Sequence, residues 1–278
     1  MPGALRLLGG LRINTGVLGF GGLSGLHMTP ELVLTAISDL GHFAEMTLAL
    51  DEAWRPRRLD LIRSGPLRNL RGQPLIGTWR DAEALARLPD GSWLIGFERR
   101  HRIQRHRRLD GAGELVPPPP GLEQSPHNAG LESLTVLSDG RWLALSEGLA
   151  APQGGRMGWI GQPGRWRSFG YLPAAGHVPV DAAALPDGGV LVLERSFSLL
   201  AGFAGRLVRL SPAALRAAAE GALVEGESLL ALVPPLPTDN YEGVAVTERE
   251  GRMLVALVSD DNESFWQRSL LLLFEMPL

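Results

Sequence analysis

The 278-residue sequence contains no lysine and no cysteine. All 27 basic residues are arginine, so a P-loop lysine, a lysine Schiff base and a Ser-x-x-Lys nucleophile are excluded. The lack of cysteine excludes thiol nucleophiles, thiolate zinc sites and disulfides. Arginine stays charged at any working pH, so it can bind anions but is a poor general base. These absences narrow the catalytic chemistry that is open to the chain.

Long hydrophobic runs and a strong net charge are also missing. No segment reaches the ~20 apolar residues of a spanning helix, so we expect no membrane span. The formal net charge is −3, so neither nucleic acid nor an anionic membrane is an expected partner. No signal peptide is visible, which leaves a cytoplasmic location open. Since no domain boundary is visible either, we predict one domain over residues 1–278, and a monomer.

Glycine and proline are abundant, with 35 and 21 residues, and they mark the turns of a repeated hairpin. Five segments, starting at residues 24, 83, 132, 181 and 242, each contain a short apolar strand, a turn and a second apolar strand. Asp-Gly pairs at these turns supply the positive φ that a tight hairpin requires. The starts lie about 50 to 60 residues apart, which leaves room for two more strands in each repeat.

Four strands in each repeat predict a β-propeller. We therefore expect an all-β fold of five four-stranded blades; a propeller of six blades would need one further repeat. Only one strand, Ser269 to Glu275, follows the fifth hairpin. The otherwise unpaired segment from Ala4 to Ile13 would complete that blade and close the ring. The alanine-rich segment from Ser211 to Gly221 is predicted to be a helix within the fourth blade.

Acidic residues recur at both ends of the predicted hairpins. Because the two strands are antiparallel, the start of the first lies beside the end of the second. In a propeller the first strand is nearest the axis, so these carboxylates should surround one mouth of the central channel. The first strands open with Glu83, Glu132, Asp181 and Glu242, and with Ser24 in the remaining repeat; the second strands close on Asp39, Glu98, Glu147, Glu194 and Asp260.

Carboxylates in such numbers require calcium, arginine or protons to neutralise them. Oxygen ligands without cysteine favour a hard cation, Ca²⁺ above Mg²⁺. Asn128, Asn240, Asn262 and main-chain carbonyls could complete a shell of about 6–8 oxygens. The structural alternative is that Glu98-Arg99 and Glu194-Arg195 mark ion pairs between blades, and that the acids cap amides at the strand ends.

Seven short segments, in order along nearly the whole chain, give a family resemblance. The sequence resembles the bacterial phytase-like family, described as having esterase-like activity of phytase, which is distantly similar to calcium-dependent β-propeller phytases. The resemblance implies a β-propeller, and it implies export to the periplasm or the medium, since members commonly carry export signals. The segments are Gly21 to Leu26, Ser38-Asp39, Asp81 to Leu85, Asn128 to Leu134, Leu191 to Arg195, Asn240 to Gly243 and Ser259 to Asn262.

With this resemblance, the acidic residues suggest metal-assisted hydrolysis of a small anionic ester. Asp39 or Asp260 would take a proton from water, and Arg99 or Arg195 would hold the anionic leaving side. Calcium would lower the pKa of a bound water. Its ligands would be Asp81, Glu83, Glu132 and Glu242, with Asp181, Glu147, Asn128 and Asn262 in support.

Two other functions remain open at this point. A lactonase-like propeller would use one central metal, fewer carboxylate ligands and an apolar pocket wall. A binding or scaffold propeller would carry no chemistry, and arginines would neutralise its acidic ring.

Overall fold

The repeated hairpins form five antiparallel sheets of a β-propeller. The computed structural model describes residues 5–200, 202–262 and 267–277. Strand β1 (Arg6–Arg12) is followed by the one-turn helix α1 (Thr15–Leu18). Blade 1 contains β2 (Leu23–Met28), β3 (Val33–Ser38), β4 (His42–Leu50) and β5 (Pro56–Pro66). Blade 2 contains β6 (Ala82–Arg87), β7 (Trp93–Phe97), β8 (Arg102–His106) and β9 (Gly113–Val116).

The other three blades repeat this pattern with one insertion. Blade 3 contains β10 (Leu131–Val136), β11 (Trp142–Ala150), β12 (Arg156–Gly161) and β13 (Arg167–Leu172). Blade 4 contains β14 (Val178–Ala184), β15 (Val190–Ser198), β16 (Gly202–Leu210) and β18 (Glu227–Leu232). Between β16 and β18, helix α2 (Pro212–Ala219) and strand β17 (Leu223–Glu225) leave blade 4, and β17 pairs in parallel with β13. The predicted helix of the fourth blade is thus confirmed.

Blade 5 is completed by both ends of the chain. It contains β19 (Asn240–Arg249), β20 (Arg252–Asp260), β21 (Leu270–Met276) and, as its outer strand, β1. Residues Arg6 to Arg12 of β1 pair antiparallel with β21, so the prediction that the N-terminal strand completes the last blade is confirmed. Ala4, the predicted start of that strand, lies outside the described residues. Five blades are confirmed as well.

Side-chain packing holds neighbouring blades together. The innermost strands β2, β6, β10, β14 and β19 contact one another in a closed cycle, yet each blade is a separate hydrogen-bonded sheet. Five buried apolar clusters each lie between two adjacent blades, for example the cluster of Phe43, Leu67 and Phe97 between blades 1 and 2. Burial of these faces is the main force that closes the ring. No helix among the described residues is long and apolar enough to cross a membrane.

Candidate functional site

A β-bulge in the innermost strand of each blade prepares the site. The pairing with the second strand skips a residue near the start of each inner strand. The skipped residue is outside the ladder, which frees its side chain to turn toward the channel mouth. The skipped residues are Ser24 (with Gly25) in blade 1, Glu83 in blade 2, Glu132 in blade 3, Val180 in blade 4 and Glu242 in blade 5.

The second strand of each blade ends beside this bulge. The residues at the equivalent end positions are Asp39, Glu98, Glu147, Arg195 and Asp260, in blade order. Four blades therefore bring a carboxylate to this position, and blade 4 brings a guanidinium. We call the following set the acidic mouth: Asp39, Asp81, Glu83, Glu98, Glu132, Glu147, Glu242 and Asp260, with Arg99 and Arg195.

The carboxylates of blades 2 and 3 approach one another most closely. Two groups of three, Asp81, Glu83 and Glu98, and Glu98, Glu132 and Glu147, each have one carboxylate oxygen per residue within 4.8 Å of the others. Glu98 belongs to both groups and is 5% exposed. It also accepts a hydrogen bond from the backbone N–H of Gly130, which ties blade 2 to blade 3.

Burial and mutual repulsion disfavour the charged forms of these groups. Burial raises the pKa of Glu83 and of Glu132 well above the ordinary range, and neighbouring carboxylates raise each further. Burial also raises the pKa of Asp81 and of Glu98. Among the described residues, only Arg99 forms an ion pair with a carboxylate of the group Asp81, Glu83 and Glu98: its Nε lies 2.6 Å from Asp81. This half of the mouth therefore contains more carboxylates than its arginine can neutralise.

On the side of blades 4 and 5, an arginine supplies the neutralising charge. Arg195 donates to Glu147 at 3.0 Å, to Asn240 at 2.8 Å and to Glu242. These partners lie on blades 3 and 5, so one side chain joins three blades. Nearby, burial raises the pKa of Asp260 to about 6, although Asp260 accepts a hydrogen bond from the backbone N–H of Asn262 at 2.8 Å.

Asp181 and Glu194 are placed away from the mouth. The fourth repeat has the same length as the second and third, but its acids are each one position nearer the Asp-Gly turn, so Val180 and Arg195 occupy the positions at which we expected Asp181 and Glu194. Asp181 is fully buried and accepts hydrogen bonds from the backbone N–H groups of Val244 and Ala182, both at 2.8 Å. Glu194 accepts from the hydroxyl of Tyr171 instead, between blades 3 and 4.

The two asparagines expected as ligands lie at the surface. Asn128 is exposed, and its Oδ1 lies 2.7 Å from Nδ1 of His127. Asn262 is also exposed, and its side-chain amide donates to Gln267 at 2.6 Å. Asn240, by contrast, is 1% exposed and contacts both Arg195 and Asp260. The structure thus brings together the predicted carboxylates of blades 1, 2, 3 and 5, and leaves Asp181, Asn128 and Asn262 apart from them.

The fold and this site define a five-bladed β-propeller with clustered carboxylates at one mouth of its channel. The chain belongs to the phytase-like family described as "Esterase-like activity of phytase", whose family model matches residues 18–263. The predicted resemblance is therefore confirmed. No curated protein sequence matches the chain.

Comparison with solved structures finds similar chains of low sequence identity. The α-L-arabinofuranosidase of Podospora anserina, in complex with cellotriose, has a TM-score of 0.54 and 10% identity, over 99% of this chain and 98% of that chain. The virginiamycin B lyase of Staphylococcus aureus has a TM-score of 0.42 and 10% identity, over 92% of this chain and 66% of that chain. A streptogramin B lyase has a TM-score of 0.41 and 10% identity, over 97% of both chains.

Proposed function

We propose that the acidic mouth is a calcium-dependent hydrolytic site for a small anionic ester. The observation that carries the proposal is the pair of three-carboxylate groups that share Glu98. The family's description names an esterase-like activity, which supports hydrolysis as the reaction class.

The donor atoms of the two groups fit calcium. Each group offers three carboxylates and neither includes a histidine, and hard oxygen donors of this kind suit Ca²⁺. Bidentate carboxylates and water would bring the shell to about 6–8 oxygens. A cation would also remove the repulsion that, together with the larger effect of burial, raises the pKa of Glu83 and of Glu132. Asp81, Glu83 and Glu98 would form one site, and Glu98, Glu132 and Glu147 a second.

The chain's own residues divide the remaining tasks. When bound, calcium supplies positive charge against the ester oxygens and makes a nearby water more acidic. Asp260, with a pKa of about 6, is largely ionised at neutral pH and can accept a proton from water and return it to the leaving group. Asp39, on the neighbouring blade 1, lies close enough to Glu83 to raise the pKa of that residue, so Asp39 is the alternative base.

Two arginines are candidates to hold the anionic part of the ester. The Arg99 side chain is 42% exposed and is paired through its Nε with Asp81, which leaves the outer N–H groups for a ligand. Arg195 is 21% exposed and already donates to Glu147, Glu242 and Asn240. We therefore assign substrate binding to Arg99 first. Arg195 has a structural role as long as it is paired with Glu147 and Glu242, and it becomes free to bind substrate when a cation binds those carboxylates in its place.

A non-catalytic binding propeller is the second candidate, and the Arg195 contacts favour it. If arginines and protons neutralise the whole mouth, no metal is needed and no hydrolysis is expected.

The test is thermal unfolding of metal-stripped protein with and without calcium, with Mg²⁺ as the control ion. An ion present at a hundredfold excess over its Kd adds about 2.7 kcal/mol to the free energy of unfolding, which corresponds to a shift of several degrees. Glu98→Gln should abolish the calcium shift, because it removes the shared carboxylate. Glu45→Gln is the matched control: Glu45 lies in β4, paired with Arg63 at 2.7 Å, and its loss should leave the calcium shift unchanged.

Hydrolysis is then measured with p-nitrophenyl phosphate, p-nitrophenyl acetate and a γ-lactone. We expect calcium-dependent turnover of the phosphate ester. This turnover should be lost in Glu98→Gln and kept in Glu45→Gln. A calcium shift without turnover of any substrate would favour the binding propeller, and turnover of the lactone alone would favour a lactonase. If calcium shifts the melting temperature of neither the unchanged protein nor Glu45→Gln, the calcium site itself is refuted.

A further inference from the structure

A cavity lies away from the acidic mouth, on the outer side of blade 2. Its volume is about 460 Å³, which is within the range of small-molecule sites. The connection from β5 to β6 crosses over β8 and β9 here and forms one wall of the cavity. We call it the Arg102 pocket; its lining includes Leu70, Ile76, Trp79, Arg102, Gln104 and Leu115.

The rim of the Arg102 pocket exposes large apolar side chains to solvent. Ile76 is 74% exposed, Leu115 60% and Trp79 50%. Such residues exposed together are uncommon on a protein surface unless a ligand or partner covers them. No acidic residue lines the pocket, all of whose lining residues are described, and Arg71 adds a second cation at the rim.

A buried arginine forms part of the pocket wall. Arg102 is 7% exposed, and its guanidinium carbon lies 3.8 Å from the ring centre of Phe97 and 5.3 Å from that of Trp79. The guanidinium donates to the backbone carbonyls of Arg100, at 3.0 Å, and Trp79. Its Nε is buried without a hydrogen-bond partner, and no carboxylate among the described residues forms an ion pair with it.

This arrangement has the two elements of a site for an amphipathic anion. A guanidinium has five N–H donors, and carbonyls occupy only some of those of Arg102. Asp81 acts on Arg102 only from beyond ion-pair distance. Burying a cation without a carboxylate in direct contact is costly, and an anion that reaches it forms charge-assisted hydrogen bonds in a shielded environment. We propose that the Arg102 pocket binds a small amphipathic monoanion, an aromatic carboxylate whose head group meets Arg102 and whose ring lies between Ile76, Trp79 and Leu115.

The charge of the pocket walls and the volume of the cavity favour a small aromatic anion as the occupant. The acidic mouth repels anions in the absence of metal, whereas the Arg102 pocket has only cationic and neutral walls. Its volume suits a ligand of about one or two rings. The proposal does not depend on calcium or on hydrolysis, so its test is made in EDTA and its failure would leave the proposed function untouched.

The probe is 2-naphthoate, titrated calorimetrically into the full chain, with 2-naphthylmethanol as the uncharged analogue. We expect one 2-naphthoate per chain and at least tenfold weaker binding of the alcohol, since the alcohol cannot form the charge-assisted contact. Arg102→Met should weaken binding of 2-naphthoate at least tenfold and leave binding of 2-naphthylmethanol nearly unchanged. Because Arg102→Met removes a buried side chain, Ile76→Glu is the second variant: its charge at the rim should weaken 2-naphthoate about tenfold.

Ile62→Glu is the matched control for the second variant. Ile62 is 53% exposed on β5 and does not line the pocket, so the same substitution there should leave binding of 2-naphthoate unchanged. Equal affinity for acid and alcohol, absence of binding at millimolar 2-naphthoate, or equal losses in Ile76→Glu and Ile62→Glu would each overturn the proposal.

Discussion

Replacement of Arg195 by methionine is the most direct test of how the acidic mouth is held together. The side chain donates to Glu147 on blade 3 and to Glu242 and Asn240 on blade 5, while its own strand belongs to blade 4. Methionine keeps part of the apolar stem and removes the charge and every donor. Two carboxylates then remain on blades 3 and 5, on either side of blade 4, with no cation between them.

The expected cost follows from the burial of the three charges. The side chains of Arg195, Glu147 and Glu242 are 21%, 16% and 12% exposed. Removing one partner of a fully buried pair costs about 3–5 kcal/mol, and partial exposure reduces this to about 2–4 kcal/mol here. Urea unfolding in calcium-free buffer, followed by tryptophan fluorescence, measures the loss. Arg195→Lys should lower the free energy of unfolding by about half as much as Arg195→Met, because one ammonium cannot reach all three acceptors in the geometry of the guanidinium.

Arg58→Met is the matched control for the same change. Arg58 pairs with Asp60 at 2.7 Å, but the two side chains are 71% and 49% exposed, so the expected loss is below about 0.5 kcal/mol. If Arg195→Met also loses less than about 0.5 kcal/mol, solvent already screens the mouth and our account of its electrostatics is wrong.

Three further predictions concern the inner strands. Asp181→Ala should cost about 2–4 kcal/mol in urea unfolding, because it leaves the buried N–H of Val244 without its acceptor. Metal-free protein should become less stable as pH rises from 5 to 8: Glu83 and Glu132 have folded-state pKa values above their unfolded values, so the folded state binds more protons over this window. A stability that is flat with pH would contradict this. Gly243→Ala should lower the melting temperature, because its Cβ would lie 2.4 Å from a backbone carbonyl of blade 1.

The fold could be predicted from the sequence because each hairpin carries its own local signals. At the Asp-Gly turns, Gly91, Gly140 and Gly188 have φ values of 82°, 83° and 84°, so each glycine supplies a backbone conformation that other residues disfavour. Apolar strands on both sides of these turns repeat with nearly constant length. Counting them gives the five blades, and the unpaired strand at each end of the chain indicates how the ring closes.

The candidate site could be predicted only in part, because it depends on register. A bulge of one residue decides which side chain turns toward the channel, and bulges leave little trace in the sequence. In blades 2, 3 and 5 the predicted acids coincide with the bulged residue. In blade 4 the acid follows the bulged residue Val180 by one position, so Asp181 turns inward. The sequence signal is the spacing from the turn back to the acid: Asp181 lies six residues before Asp187, whereas Glu83 and Glu132 lie seven residues before the aspartates of their turns.

That offset makes the mouth asymmetric, and the asymmetry bears on where a metal would bind. Blade 4 places Arg195 where the other blades place acids, and Arg195 neutralises Glu147 and Glu242 on its two sides. Among the residues that the structure describes, Arg99 alone forms an ion pair with a carboxylate of blade 2. The uncompensated charge is therefore greatest around Glu98, the residue common to both three-carboxylate groups. Any cation that reaches Glu147 competes with Arg195 for that carboxylate, so metal binding and the release of Arg195 toward an anionic ligand are coupled through one side chain.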